Sequence, residues 1–140
     1  MKALLFRNSV SLGLAGDLGF LVLRLFAGLV MAFAHGLGKI PPAPGFIGAV
    51  SGLGFPMPEL FAWAAGLSEF LGGILIALGL LTGPSALFLG FTMLVAAFGA
   101  HGADAFNVKE LSLFYLTVYF FFVLYGGGRF SLDAIINRSR

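Results

Sequence analysis

Cysteine is absent from this chain, and charge is scarce: Asp, Glu, Lys and Arg together make up 10% of the residues. Without a thiol there is no disulfide framework, no thiolate nucleophile, no Cys-ligated zinc and no iron–sulfur cluster. Soluble domains carry about 25% charged residues, so an ordinary water-soluble globule is excluded as well. Disorder is equally excluded, because a chain that is 59% hydrophobic cannot stay solvated. The 21 glycines follow no Gly-X-Y period, and membrane helices tolerate glycine. The eight Lys and Arg residues are scattered, which leaves no stripe for nucleic acid. There is no dinucleotide fingerprint, P-loop, HExxH or nucleophile elbow, and no clustered metal-ligand set. A cleaved leader is not expected: Asn8, Ser9 and Ser11 interrupt the first apolar stretch, and Gly16-Asp17 makes a poor cleavage site.

What remains is apolar sequence, with a mean hydropathy of +1.03. The 140 residues read as one transmembrane domain, 1–140, with spans at about 18–38, 58–81, 84–101 and 108–125. Asp17 is the expected N-cap of the first span, and Gly36, Gly38 and Pro41 close it. Thr82-Gly83-Pro84 breaks the chain tightly, so the second and third spans form a hairpin. The connection 39–57 is long and contains an apolar piece, 46–53, too short to span and expected to lie on the bundle. A short surface helix is expected over about 131–138. The fold class is all-α, a polytopic four-helix membrane bundle, since helices satisfy their own backbone in lipid and no period-2 strands occur.

Lys2, Arg7, Arg129, Arg138 and Arg140 lie on the side of the termini, against Lys39 and Lys109 on the other. That asymmetry places both termini in the cytoplasm and the long first loop outside, in a bacterial inner membrane.

Arg24 and Glu69 are the two charges expected well inside the bilayer, where each needs a partner, and the simplest partner is the other. Glu69 sits beside a stripe of small residues, Ala62, Gly66, Gly73 and Ala77, that admits a neighbouring helix. His35 and Lys39 end the first span; His101, followed by Asp104, Asn107, Lys109 and Glu110, ends the third. These groups ring one mouth of the bundle. Each has a structural explanation too: histidine is favoured at a helix C-terminus, and Asn107 with Glu110 has the spacing of a capping box. Two histidines on separate helices are also the minimum axial ligand set for haem b, though no other residue supports it. A quinone headgroup fits better, because it needs one or two hydrogen-bonding side chains and an apolar slot. His35, Lys39, His101 and Glu110 are the candidate ligand-binding residues, with Phe33, Phe98, Phe106, Phe114 and Tyr115 nearby.

Leu23-Arg24-Leu25 with His35-Gly36 and Lys39, then Glu69-Phe70-Leu71-Gly72-Gly73 with Gly79-Leu80-Leu81-Thr82, resemble the DoxX family of membrane proteins. The stretches Glu110-Leu111-Ser112-Leu113 and Gly128-Arg129-Phe130-Ser131-Leu132-Asp133 resemble that family's last helix and exit. The resemblance, over about 18–133, implies a four-helix bundle. Through the relative DoxD, associated with thiosulfate:quinone oxidoreduction, it also implies quinone-linked redox work with a partner that carries the redox centre. The alternative is a non-catalytic accessory or scaffold subunit. Gly90, Ala97 and Ala100 on the third span and the ring of aromatics on the fourth offer surfaces for a homo-oligomer or for other membrane subunits.

Overall fold

The computed structural model describes residues 12–138, and the secondary structure among them is entirely helical. Helix α1 spans Gly13–Lys39, α2 Pro44–Gly52, α3 Pro58–Leu78, α4 Thr82–Ala100, α5 Phe106–Tyr125 and α6 Leu132–Arg138. Four of them, α1, α3, α4 and α5, are long and apolar enough to cross a membrane. Their outer faces carry exposed Phe26, Phe88, Phe98 and Phe120, an arrangement stable against acyl chains and not against water. Lys2, Arg7 and Arg140, three of the basic residues used to orient the chain, lie outside the described residues.

Glycine sets the register of α1 against α3. A Cβ on Gly28 would come within 2.5 Å of the Gly73 carbonyl oxygen, and one on Gly73 within 2.7 Å of the Gly28 oxygen. A Cβ on Gly36 would land on the backbone of Glu69 and Phe70. The two helices therefore run antiparallel in backbone contact, on the small-residue face of α3. Helices α4 and α5 form a second extensive pair. Between them Ala97 is fully buried, and Gly90 faces Leu116 and Tyr119. Gly90 and Ala97 are thus used inside the bundle, contrary to the outward role expected for them. On α5, Tyr115, Tyr119 and Phe122 turn inward, while Phe114 and Phe120 remain exposed. The ring of Phe20 closes α1 onto α5 by packing on Phe122 and Tyr125.

The end bearing the described termini is tied together by buried polar groups. Leu81 adopts a left-handed conformation, φ +49°, immediately before α4, and has no cap of its own. Asp133 from α6 supplies one: its carboxylate accepts from Leu81 N at 2.8 Å, Thr82 N at 2.9 Å and Thr82 Oγ1 at 2.7 Å. The Asp133 N–H donates to the Gly79 carbonyl. Helix α6, the short helix expected over about 131–138, is accordingly anchored by one face, with Asp133 and Ala134 buried and Leu132, Ile135 and Arg138 exposed.

Two capping expectations also change. Asp17 lies within α1, one turn beyond its start, where it accepts from Leu12 N and pairs with Arg129. Helix α5 opens at Phe106 without a side-chain cap, so Asn107 is not the start of a capping box. The expected apolar piece 46–53 forms most of α2, which opens with Pro44 in its first turn and packs on the first half of α3.

Gly36→Ala should lower the thermal unfolding temperature in detergent by several degrees, because the α1–α3 backbones must part. Gly38→Ala, with open space around its Cβ, should leave it unchanged.

Candidate functional site

Three of the spanning helices widen by one residue per turn toward the same end: α1 at Met31–Gly36, α3 at Ser68–Gly72 and α4 at Ala96–Ala100. Such π turns leave a local gap in the side-chain packing and recur at functional sites. Here one carries His35, one carries Glu69 and one leads directly into His101. Between them lies a cavity of about 240 Å³ lined by His35, Lys39, Glu69, His101, Ser112 and Tyr115, with Met31, Met93, Ala96, Val108 and Leu111 as its apolar wall.

Glu69 is the innermost charge of this cavity, with only 2% of its side chain exposed. A lone carboxylate at that depth would cost far more than the fold can supply. Lys39 compensates it: Nζ lies 2.6 Å from both Oε1 and Oε2, reaching down from the last turn of α1. The lysine side chain is 33% exposed, and its ammonium also sits 5.4 Å from the centre of the Phe46 ring on α2. The His35 ring meets that of Tyr115 edge-on at 6.0 Å, and Tyr115 stacks on Tyr119 at 5.8 Å. Tyr119 is fully buried, and its hydroxyl has no hydrogen-bond partner among the described residues. At the lip, His101 Nδ1 and Asp104 Oδ2 are 2.8 Å apart, and Lys109 Nζ donates to the Gly102 carbonyl.

The expected Arg24–Glu69 pair is not formed. Close packing of α1 on α3 places Gly36 beside Glu69 and Arg24 beside Gly79. Arg24 and Glu69 are therefore separated by the distance from 24 to 36 along α1, about 18 Å at 1.5 Å per residue. Arg24 instead donates to the carbonyls of Gly127 and Phe130, the latter at 2.7 Å, and faces the charge of Asp133. It belongs to the clasp at the terminal end, away from the cavity.

Of the four residues expected to line a ligand pocket, the cavity brings together His35, Lys39 and His101. Glu110 is exposed one turn beyond the start of α5 and does not line it. Glu69 and Ser112 are the additions, and Tyr115, noted in the sequence only as a nearby aromatic, becomes a wall residue with a hydroxyl. The legible signal for Glu69 was the spacing of Gly28 and Gly36 against Gly66 and Gly73, which fixes what lies level with what. A second hollow, about 640 Å³ beside Ile47, Met57, Glu59 and Trp63, is larger but open to the outside and has a single charged group, so it offers no comparable chemistry.

The matches to known proteins coincide with this geometry. The DoxX family model matches residues 19–102, which take in Arg24, His35, Lys39, Glu69 and His101. The chain belongs to the DoxX family. The match stops before α5, so Tyr115 and Asp133 come from the part of this DoxX chain beyond it. A Haemophilus influenzae protein carrying the description "Uncharacterized protein" is 33% identical over 111 residues, covering 74% of this chain and 80% of its own. No solved structure matches the chain.

Removing Lys39 strands a buried carboxylate, whereas removing Glu69 leaves a lysine that can turn to the exterior. Lys39→Met should therefore cost about 3 kcal/mol, the lower end for breaking a buried pair, and Glu69→Gln clearly less. A double-mutant cycle on unfolding should give strong coupling between 39 and 69. Between 24 and 69 it should give none beyond about 0.5 kcal/mol.

Proposed function

We propose that this DoxX protein binds a quinone headgroup in the mouth cavity and handles its protons, while a partner subunit or soluble redox protein exchanges the electrons. The observation that carries the reading is the composition of the cavity wall. Hydrogen-bond donors and a carboxylate stand among methionine, alanine and leucine side chains, in a volume suited to a single ring and not to a larger ligand. The charges of Lys39 and Glu69 cancel, which favours a neutral molecule over an anion.

Tyr115, His35 and the Lys39 ammonium are the groups that would donate to the oxygens of such a ring, and Met31 and Met93 would face it. A quinol–quinone couple supplies two electrons and two protons when bound. His35, His101 and Glu69 are the cavity groups able to take up a proton. The charge asymmetry of the sequence supports a cytoplasmic location for both termini in a bacterial inner membrane, with the cavity opening outward. Since the chain contains no cysteine, single cysteines introduced at 104 and 138 would report opposite sides to an impermeant maleimide.

A second reading is an accessory subunit without its own ligand, in a homo-oligomer or a larger complex. It draws on α5, the least covered of the four spanning helices, with 17% of its apolar window buried. Native mass measurement in mild detergent separates a partnered form from a monomer.

Protein purified in mild detergent should release a quinone on organic extraction. A short-chain quinone should raise its unfolding temperature, with His35→Ala and Tyr115→Phe each weakening binding about tenfold. The absence of both an extracted quinone and a thermal shift would overturn the reading.

A further inference from the structure

Glu69 and Lys39 differ in a way that a purely structural ion pair does not require. The carboxylate is fixed: it sits in the widened turn of α3, almost fully buried, with the Gly36 backbone against its own. The ammonium is not. Lys39 ends α1 in a tight turn, leads directly into Ile40-Pro41, is one-third exposed, and is the charged partner of Glu69 in the cavity wall. The Phe46 ring face, 5.4 Å from Nζ, offers the ammonium a second seat. Lys39 can therefore let go of the carboxylate without losing every partner.

The other ionisable groups around Glu69 are disposed to suit. His35 comes from α1, Tyr115 and Tyr119 from α5, and His101 with its paired Asp104 from the end of α4. Tyr119 is within electrostatic range of Glu69 and Tyr115, and its unpartnered, fully buried hydroxyl extends this polar group inward. His101 is held at the lip by Asp104, and His35 packs edge-on to Tyr115, so Glu69 alone combines depth with a removable counter-ion.

We propose that Glu69 is the proton-accepting group of the cavity and Lys39 its gate, alternating between the carboxylate and the face of Phe46. A ligand hydroxyl entering the cavity hydrogen-bonds to the carboxylate as Lys39 leaves. The O–H bond breaks, its electron pair stays on the ligand oxygen, and the proton passes to Glu69. The displaced ammonium faces the oxygen that becomes negative. This deepens the quinone reading and rests on it for the identity of the hydroxyl.

The test is dicyclohexylcarbodiimide, an apolar reagent that adds to protonated carboxyls and leaves an N-acylurea that peptide mass spectrometry can locate. A buried carboxylate stripped of its counter-ion is neutralised in preference to remaining charged, and so becomes a target. The full chain in detergent should be labelled slowly at Glu69, at least tenfold faster in Lys39→Met, near the starting rate in Lys39→Arg, and not at that position in Glu69→Gln. If Lys39→Met does not fold, acetylation of Lys39 in the folded chain removes the same charge and should give the same acceleration. Equal rates with and without the charge, or no labelling of Glu69 in a folded Lys39→Met, would overturn the gate. Decylubiquinone distinguishes the two ideas. Fast labelling that it slows supports both, whereas fast labelling that it leaves unchanged supports the gate and removes the quinone.

Discussion

Helix backbones can touch where a Cβ is missing at the contact, and in this DoxX protein Gly28 and Gly73 meet that condition against each other and Gly36 against the backbone of Glu69 and Phe70. The rest of the molecule depends on the contact. It removes the freedom of α1 to slide along α3, and in doing so decides which charges share a level. One register puts Glu69 below Lys39 and Arg24 beside Gly79. Sliding the helices far enough to pair Arg24 with Glu69 would drive alanine and leucine side chains into space that only glycine leaves open, and would strip both ends of the bundle of their partners.

The two ends then solve the buried-charge problem differently. At the terminal end the chain itself supplies compensation: carbonyls of the exit segment take the Arg24 guanidinium, and Asp133 caps the start of α4. Arg24 there holds two carbonyls and Asp133 three donors, which suits a clasp. At the mouth a fixed carboxylate faces a flexible lysine across a cavity, and the widened turns of α1, α3 and α4 keep that space from collapsing. The cavity and its ionisable groups lie together there, so the chemistry of the molecule is concentrated at the mouth.

Much of the architecture was legible because membrane insertion leaves few choices. Long apolar runs must be helices, and the breaks at 79–84 and 126–128 must be turns, so the four-span bundle and the hairpin of α3 with α4 follow from composition and spacing. The stripe of Ala62, Gly66, Gly73 and Ala77 likewise identified the face of α3 that α1 packs on. Caps were less legible. Asp17 and Asn107 have the residue types of an N-cap, yet in an apolar chain a polar residue near a helix end is drawn to whichever donor is otherwise buried without a partner. For Asp17 that is Leu12 N and Arg129, and for the α4 terminus the donor set is met by Asp133 from the far end of the chain.

The sequence by itself determined the class of protein, its four spans and the gathering of His35, Lys39 and His101 at one end, because each follows from helix length and chain direction alone. Only the tertiary structure decided the pairing of the charges, the exclusion of Glu110 from the cavity and the admission of Tyr115 and Glu69 to it. Those are matters of rotation and register between helices. A shift of a few residues along either helix changes every partner, yet leaves composition, periodicity and span length the same.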